Sequence, residues 1–420
     1  MIAILKREWK SYFQNITGWL FIAAVLALYG LYFLAYNLRA GYPYVSYTLS
    51  AISFIMLIAV PILTMRSMAE ERHSRTDQLV LTAPVSLGKM IFGKFLAMVG
   101  VFTVAVAVIA VTPLVLAAFG TVPMGENYVA VLGFWLYGCT CIAVGMLASA
   151  LTESQVIAAV VAFAFLFLGY MMNSITGLIG DHLITKVLGA YDLYTPLQSF
   201  MSGCLDLTGV VYFVSVTGLC LFLTCQCVQK RRWSMTTKKL TTGMFSVAMI
   251  VVGFAVAVAV NMVVKEMPSS WTAVDATSTK LYSLTDTTKD YVKNLSQDVT
   301  IYVLSSEKSA DSTLAETLQR YEDLSKHLNV VYKDPAKSPN FYQQYTDSAP
   351  SQNSMIVVSD ARSRVVDYSD VYEYSYDYST YSSSVDGYDA EGQLTSALQY
   401  VTKADSELPV IYEITGHGEN

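Results

Sequence analysis

Three places in this 420-residue chain combine residue types with a capacity for chemistry. The run Gly88-Lys-Met-Ile-Phe-Gly93-Lys94 is half of a phosphate-binding loop, in which glycines let backbone N–H groups approach a phosphate and a lysine reaches it. Such a loop follows a strand and continues with Ser or Thr to hold Mg²⁺. Here Phe95 follows and the segment opens an apolar helix, so it is not a nucleotide site. No other phosphate cradle is present; the chain carries no cofactor of its own, and an ATP-driven step needs a partner that binds ATP and Mg. The second place is the turn at 414–420, where a predicted strand (409–414) ends in Gly416, His417, Gly418 and Glu419. Ligands often sit at such strand ends, but one His beside one Glu is not an acid–base constellation, and His73, His182 and His327 are far off in sequence. The third is the mixed cluster Arg66, Glu70, Glu71, Arg72, His73, Arg75 and Asp77. It reads either as a solvated helix face or as a docking surface for a motor protein.

The elements that must position these residues follow from charge. Only 14% of residues are charged, against 54% hydrophobic. Residues 1–264 hold 15 Lys and Arg with 9 Asp and Glu, whereas residues 265–420 hold 12 with 24. That split excludes a single globular domain, a disordered chain and a basic nucleic-acid binder. Seven windows lack any charge: 16–36, 40–65, 95–125, 127–152, 154–180, 207–229 and 240–264. About 20 apolar residues cross a bilayer as a helix, so the chain is a polytopic membrane protein in contact with lipid. Lys and Arg gather in 1–15, 66–94 and 230–239, while the alternate loops carry only Arg39 and Lys186. The positive-inside rule then places the amino terminus in the cytoplasm and, after seven spans, residues 265–420 outside. In the first dozen residues Ile2, Leu5, Trp9, Tyr12 and Phe13 recur at helical spacing opposite Lys6, Arg7 and Lys10, the pattern of an interfacial amphipathic helix. The six cysteines all lie in the membrane part, where packing is their expected role.

MetArgSerMetAlaGluGluArg at 65–72, ThrAspGlnLeuValLeuThrAlaProVal at 76–85 and GlyLysPheLeuAla at 93–97 resemble the inner loop of type-2 ABC exporter permeases. A second stretch, 194–213, resembles that family's outer re-entrant segment through Pro196, Phe200, Gly203 and Asp206. The resemblance covers residues 1–230. It implies a six-span permease in a bacterial plasma (inner) membrane, with a separate cytoplasmic ABC ATPase contacting the 66–94 loop. Arg66, Glu70, Glu71 and Arg72 would be coupling residues, hydrolysis would belong to the partner, and a homodimer or a paired permease is implied.

Beyond Val264, apolar strands at 299–304, 328–332 and 355–359 alternate with helical stretches near 310–327 and 390–403, which predicts an α/β domain. Leu314, Leu318, Tyr321 and Leu324 share one helix face. Between Asp367 and Tyr388 a segment rich in Tyr reads as an edge strand or irregular loop. Asp275-x-Thr277, Lys280-x-TyrSerLeu and the later ThrGlyHisGlyGlu resemble the auxiliary subunit of gliding-motility-type ABC transporters, although Ala276 replaces the usual Leu. That resemblance implies an outer α/β domain without an established active site, which engages substrate or an envelope partner and continues past Asn420, so the chain is expected to be truncated. The expected order is an interfacial helix (1–15), six spans (16–230) with the loop 66–94, a basic linker (231–242), a seventh span (243–264) and an extracytoplasmic α/β domain (265–420). The competing readings are a membrane-anchored envelope enzyme using His417 and Glu419, and a sensor or scaffold acting through the Tyr-rich segment.

Overall fold

The computed structural model describes residues 2–75, 86–179, 188–230, 239–265, 267, 272–275, 283–306, 309–377 and 382–403. Two units result: residues 1–267 with 271–279, and residues 268–270 with 280–420.

Among the described residues of the first unit, a helix at Ile2–Gln14 precedes six helices long and apolar enough to cross a membrane. These are Ile16–Arg39, Ser46–His73, Leu87–Ala117, Met124–Leu151, Gln155–Ile179 and Leu207–Gln229. At 1.5 Å per residue even the shortest, of 23 residues, is longer than the roughly 30 Å hydrocarbon layer. A further helix, Lys239–Lys265, has an apolar stretch at Ala248–Val264 and packs on the sixth span, where Asn261 donates to the Ser215 hydroxyl at 2.7 Å. The basic linker expected at 231–242 falls largely outside the described residues, and the described helix opens at Lys239.

Two spans begin earlier than their charge-free windows. The third starts at Leu87 and takes Lys89 and Lys94 into the helix; the fourth starts at Met124 and includes Glu126. A charge ends an apolar window but not a backbone hydrogen-bond ladder. The fourth span is the hub, with 78% of its apolar window buried against 22–28% for the first, fifth and sixth. Tyr137 and Phe134 are fully enclosed on it, and Cys139, Cys141 and Cys220 are buried in the same core.

At the end of the bundle far from the amino terminus, two asparagines replace apolar packing. Asn127 accepts the Val45 amide at 2.6 Å and donates to the Pro43 and Pro123 carbonyls. Asn37, in a π-helical turn at Leu34–Arg39, donates to the Tyr42 and Tyr44 carbonyls and accepts the Thr48 hydroxyl. The loop 40–45 is thus held between the first, second and fourth spans by buried polar groups that have few other partners.

Strands are numbered along the chain, β1 being Cys204–Asp206 and β2 Ala273–Asp275; among the described residues the second unit contains β3 Val299–Val303, β4 Leu328–Tyr332, β5 Met355–Ser359 and β6 Ser363–Val366, in a four-stranded sheet of order β4-β3-β5-β6. β3 and β4 are parallel and joined through the helix Ser312–Leu324, a βαβ unit, while β5 and β6 form an antiparallel hairpin. Alternate residues Val299, Ile301 and Val303 pack with Leu314, Leu318 and Tyr321 of that helix and Leu394, Leu398 and Val401 of the helix Ala390–Thr402. The Tyr-rich segment is ordered as a separate hairpin, β7 Tyr372–Asp377 with β8 Ser382–Tyr388. The predicted strand at 409–414 lies outside the described residues.

Asp367 pins the approach to that hairpin. Its carboxylate accepts from the Ser351 amide and hydroxyl, the Ser354 hydroxyl, and the Ser369 amide and hydroxyl, at 2.6–3.1 Å. Burial pushes this carboxyl up, but the Ser351 and Ser369 donors outweigh it and hold it below the usual carboxylate range. A depressed folded value stabilises above the unfolded value of about 3.9 and is lost as pH falls through the folded value.

Two outcomes are expected. Asn127→Ala strands the Val45 amide and costs about 1–3 kcal/mol, read as a lower thermal midpoint of the detergent-solubilised chain with faster hydrogen exchange at 43–46. Asp367→Asn removes part of the acid lability of the 351–369 segment, so its exchange rate changes less between pH 5 and pH 3 than in the parent chain; an unaltered pH response would contradict the clamp.

Candidate functional site

Four elements meet at the amino-terminal end of the bundle: the helix Ile2–Gln14, the short helix Arg66–His73, the opening turns of the third span and the end of the fourth. The short helix follows a break at Met65, one turn after Pro61, and stops at Arg75, whose φ of 55° is left-handed. Ser149 of the fourth span fastens its start, accepting the Met68 and Ala69 amides and donating to the Met65 carbonyl. These are amides that a helix start leaves without intrahelical partners.

The centre of the cluster is Lys94, whose side chain is 3% exposed. Its Nζ lies 2.5 Å from Glu71 and 3.8 Å from Glu8, and donates to the Ser67 carbonyl at 2.9 Å. A buried ammonium is tolerated only when paired and hydrogen-bonded. Here the carboxylates come from two different helices. Arg7 joins from the rim, 2.6 Å from Glu8 and 3.8 Å from Glu71. The amino-terminal helix is also seated sterically: Trp9 lies over Gly100 of the third span, where any Cβ would collide with the indole.

The remaining charges face outward. Arg66 makes two parallel bonds to Glu70, at 2.7 and 2.8 Å, and reaches the Thr17 hydroxyl of the first span at 3.3 Å. Arg72 pairs with Glu153 at 2.6 Å and donates to the Leu151 carbonyl at the end of the fourth span. At 38% and 42% exposure the Arg66–Glu70 pair contributes about 0–1 kcal/mol to stability. The four residues singled out in the sequence therefore share one short helix but not one environment: Arg66, Glu70 and Arg72 line its rim, and Glu71 turns inward. The rest of the loop, 76–85, lies outside the described residues.

Sequence reasoning missed Lys94, Glu8, Ser149, Thr17 and Glu153 as members of the cluster. Lys94 carries a readable signal. Met90, Ile91, Ala97, Met98 and Val101 stand three, four and seven residues from it, all buried, so the lysine lies on the helix stripe that faces the core. Glu8 carries none, because its partner is more than eighty residues away.

The second predicted group assembles at the opposite end. The helix Thr195–Met201 has Pro196 in its first turn and is capped by Asp192, which accepts the Tyr194 and Thr195 amides and the Thr195 hydroxyl. Phe200 is fully buried against Gly133 of the fourth span and Gly209 of the sixth. Gly203, at φ 84°, reverses the chain into β1, Cys204–Asp206. Asp206 accepts the Thr208 amide and hydroxyl at the start of the sixth span. Pro196, Phe200, Gly203 and Asp206 thus form a single helix–turn–strand wedge. Gly416, His417, Gly418 and Glu419 lie outside the described residues.

These elements make a polytopic helical bundle with a tied charge cluster at one end and a wedge at the other, followed in the chain by an α/β unit. Residues 39–228 match the family described as ABC-2 family transporter protein, and residues 278–370 match a domain of unknown function. The first match covers the second to sixth spans and supports a permease subunit of an ABC transporter. No curated protein matches the chain.

The buried pair yields a test. Glu71→Gln leaves Lys94 with the more distant Glu8 as its remaining carboxylate and is expected to cost up to about 3–5 kcal/mol, whereas Glu71→Gln with Lys94→Met recovers most of that loss. The check is a double-mutant cycle on thermal midpoints of the solubilised chain; additive losses would mean that the two side chains act independently.

Proposed function

We propose that the chain is the permease subunit of an ATP-driven ABC exporter in a bacterial inner membrane. The amino-terminal helix and the 66–94 segment are cytoplasmic, and the α/β unit is extracytoplasmic. ATP and Mg bind to a separate cytoplasmic ATPase subunit, and two permeases, identical or paired, surround the path. The outer unit engages substrate or an envelope partner.

The observation that carries this reading is the tied joint around Lys94. A force on the helix Arg66–His73 reaches the second span through the chain, the third through Lys94–Glu71, and the fourth through Ser149 and the Arg72 bond to the Leu151 carbonyl. The amino-terminal helix moves with it through Glu8 and Arg7. One short helix thus grips three spans, which suits a lever pressed by a motor from the water side. Arg66, Glu70 and Arg72 offer the charged rim that such a motor would touch, while Glu71 supports it from inside. ATP can drive the spans between two accessible states only through differential affinity of the motor for those states. The domain match and the thirteen Lys and Arg that the sequence gathers in 1–15, 66–94 and 230–239 support the assignment and its orientation.

Purification in mild detergent is expected to bring down an ATP-binding protein. Glu70→Lys, which breaks only an exposed pair, should cut its recovery about tenfold (about 1.4 kcal/mol) while leaving the chain in the membrane; undiminished recovery would remove the coupling role. For orientation, Ser270→Cys should react with an impermeant thiol reagent from outside and Thr236→Cys should not.

A further inference from the structure

The segment that follows the helix Lys239–Lys265, called the seventh helix for its place after the six spans, does not run free. Residues 273–275 form a strand, β2, that pairs antiparallel with β1: Cys204 stands opposite Asp275, Leu205 opposite Val274 and Asp206 opposite Ala273. Residues 271–279 accordingly belong with the membrane unit, although the sequence alone assigned all of 265–420 to the outer domain. The physical reason is the free edge of β1. A three-residue strand leaving a glycine turn presents backbone groups that need partners, and the returning chain supplies them.

β1 is rigidly connected. Gly203 joins it to the helix that buries Phe200, and Asp206 joins it to the cap of the sixth span. β2 is tied on one side to the seventh helix and leads, through residues 276–279, into the second unit. The register is also selective. Asp206 and Asp275 lie diagonally across the pair; a two-residue slip would set the two carboxylates directly opposite, and a one-residue slip would exchange the faces of the strand. The segment 229–277 lies outside both matched regions, so neither family accounts for this pairing.

We propose that β2 is a built-in docking strand, through which the chain's own juxtamembrane segment adds to the wedge of the permease and links that wedge mechanically to the outer domain. The recognition is strand addition, with main-chain hydrogen bonds holding the segment and its carboxylate spacing setting the register. The outer domain is then attached to the transport bundle at two points, the seventh helix and the wedge, and movement of the helix Thr195–Met201 displaces its tether directly.

The test uses the full chain in membranes and needs neither substrate nor motor, so its outcome is independent of the exporter assignment. Directly opposed residues in an antiparallel pair have Cα atoms about 4.5–5.5 Å apart, within disulfide range. Asp275→Cys should therefore form a cross-link with the native Cys204 on mild oxidation, read as the linked peptides by mass spectrometry. Val274→Cys, which points to the other face of the pair, should not. Val274→Pro should speed hydrogen exchange at 195–206 about tenfold or more while leaving the region around Asn127 unchanged. Absence of the Asp275→Cys cross-link, or equal cross-linking at 274, overturns the pairing. Unchanged exchange at 195–206 in a proline variant that retains the Asn127 protection overturns the link to the wedge.

Discussion

The membrane unit is organised at one end by a single requirement: the Lys94 ammonium is buried and must be neutralised. A lone buried cation costs several kcal/mol even after relaxation. No carboxylate of its own helix answers it; Glu71 comes from the short helix after the second span and Glu8 from the amino-terminal helix. Satisfying one charge therefore ties three helices together at one point, beside the apolar contact that Ile4, Tyr12 and Phe13 of the amino-terminal helix make with the core. Ser149, Trp9 over Gly100 and the Arg72–Glu153 pair then close the joint around it.

The far end solves a different problem with neutral groups. There the loops must turn at the edge of the apolar layer, and Asn37 and Asn127 gather the carbonyls and amides that the turns expose. The wedge uses shape, seating a phenyl ring where the fourth and sixth spans have glycines. Between the two ends the fourth span is enclosed by the others and makes most of the interhelical packing, so displacements at either end must pass along or around it. The exposed ion pair Arg66–Glu70 at the basic end weakens with salt, the buried Lys94 pairs and the neutral bonds of the far end much less.

Much of this fold was legible from the sequence because a bilayer constrains composition so strongly. The charge-free windows located every span, and alternation of apolar residues located β3, β4, β5 and the helix carrying Leu314, Leu318 and Tyr321. The helices of the third and fourth spans begin before Lys94 and Glu126, because a charge ends an apolar window but not a helix. Glu70 and Glu71 are adjacent and chemically alike, yet one is on the rim and the other is inside; only the 100° step between helix positions, applied with the partner helices in place, separates them. The pairing of residues 204–206 with 273–275 had no local signature, since three-residue strands carry no period.

Ion pairing at the basic end, rather than an apolar contact of equal size, has a consequence for motion. An apolar interface gains little from any one arrangement and can slide; a buried ammonium held by two carboxylates and a carbonyl has one good geometry and a steep penalty away from it. Such a joint transmits a push without yielding, until the push is large enough to bring in water, and then it releases as a unit. The wedge at the other end is held differently, by a buried phenyl ring seated against glycines of the fourth and sixth spans and by a glycine turn into a three-residue strand. A stiff joint near the charged helix therefore passes displacement entering at the basic end on to the spans it holds, instead of absorbing it there.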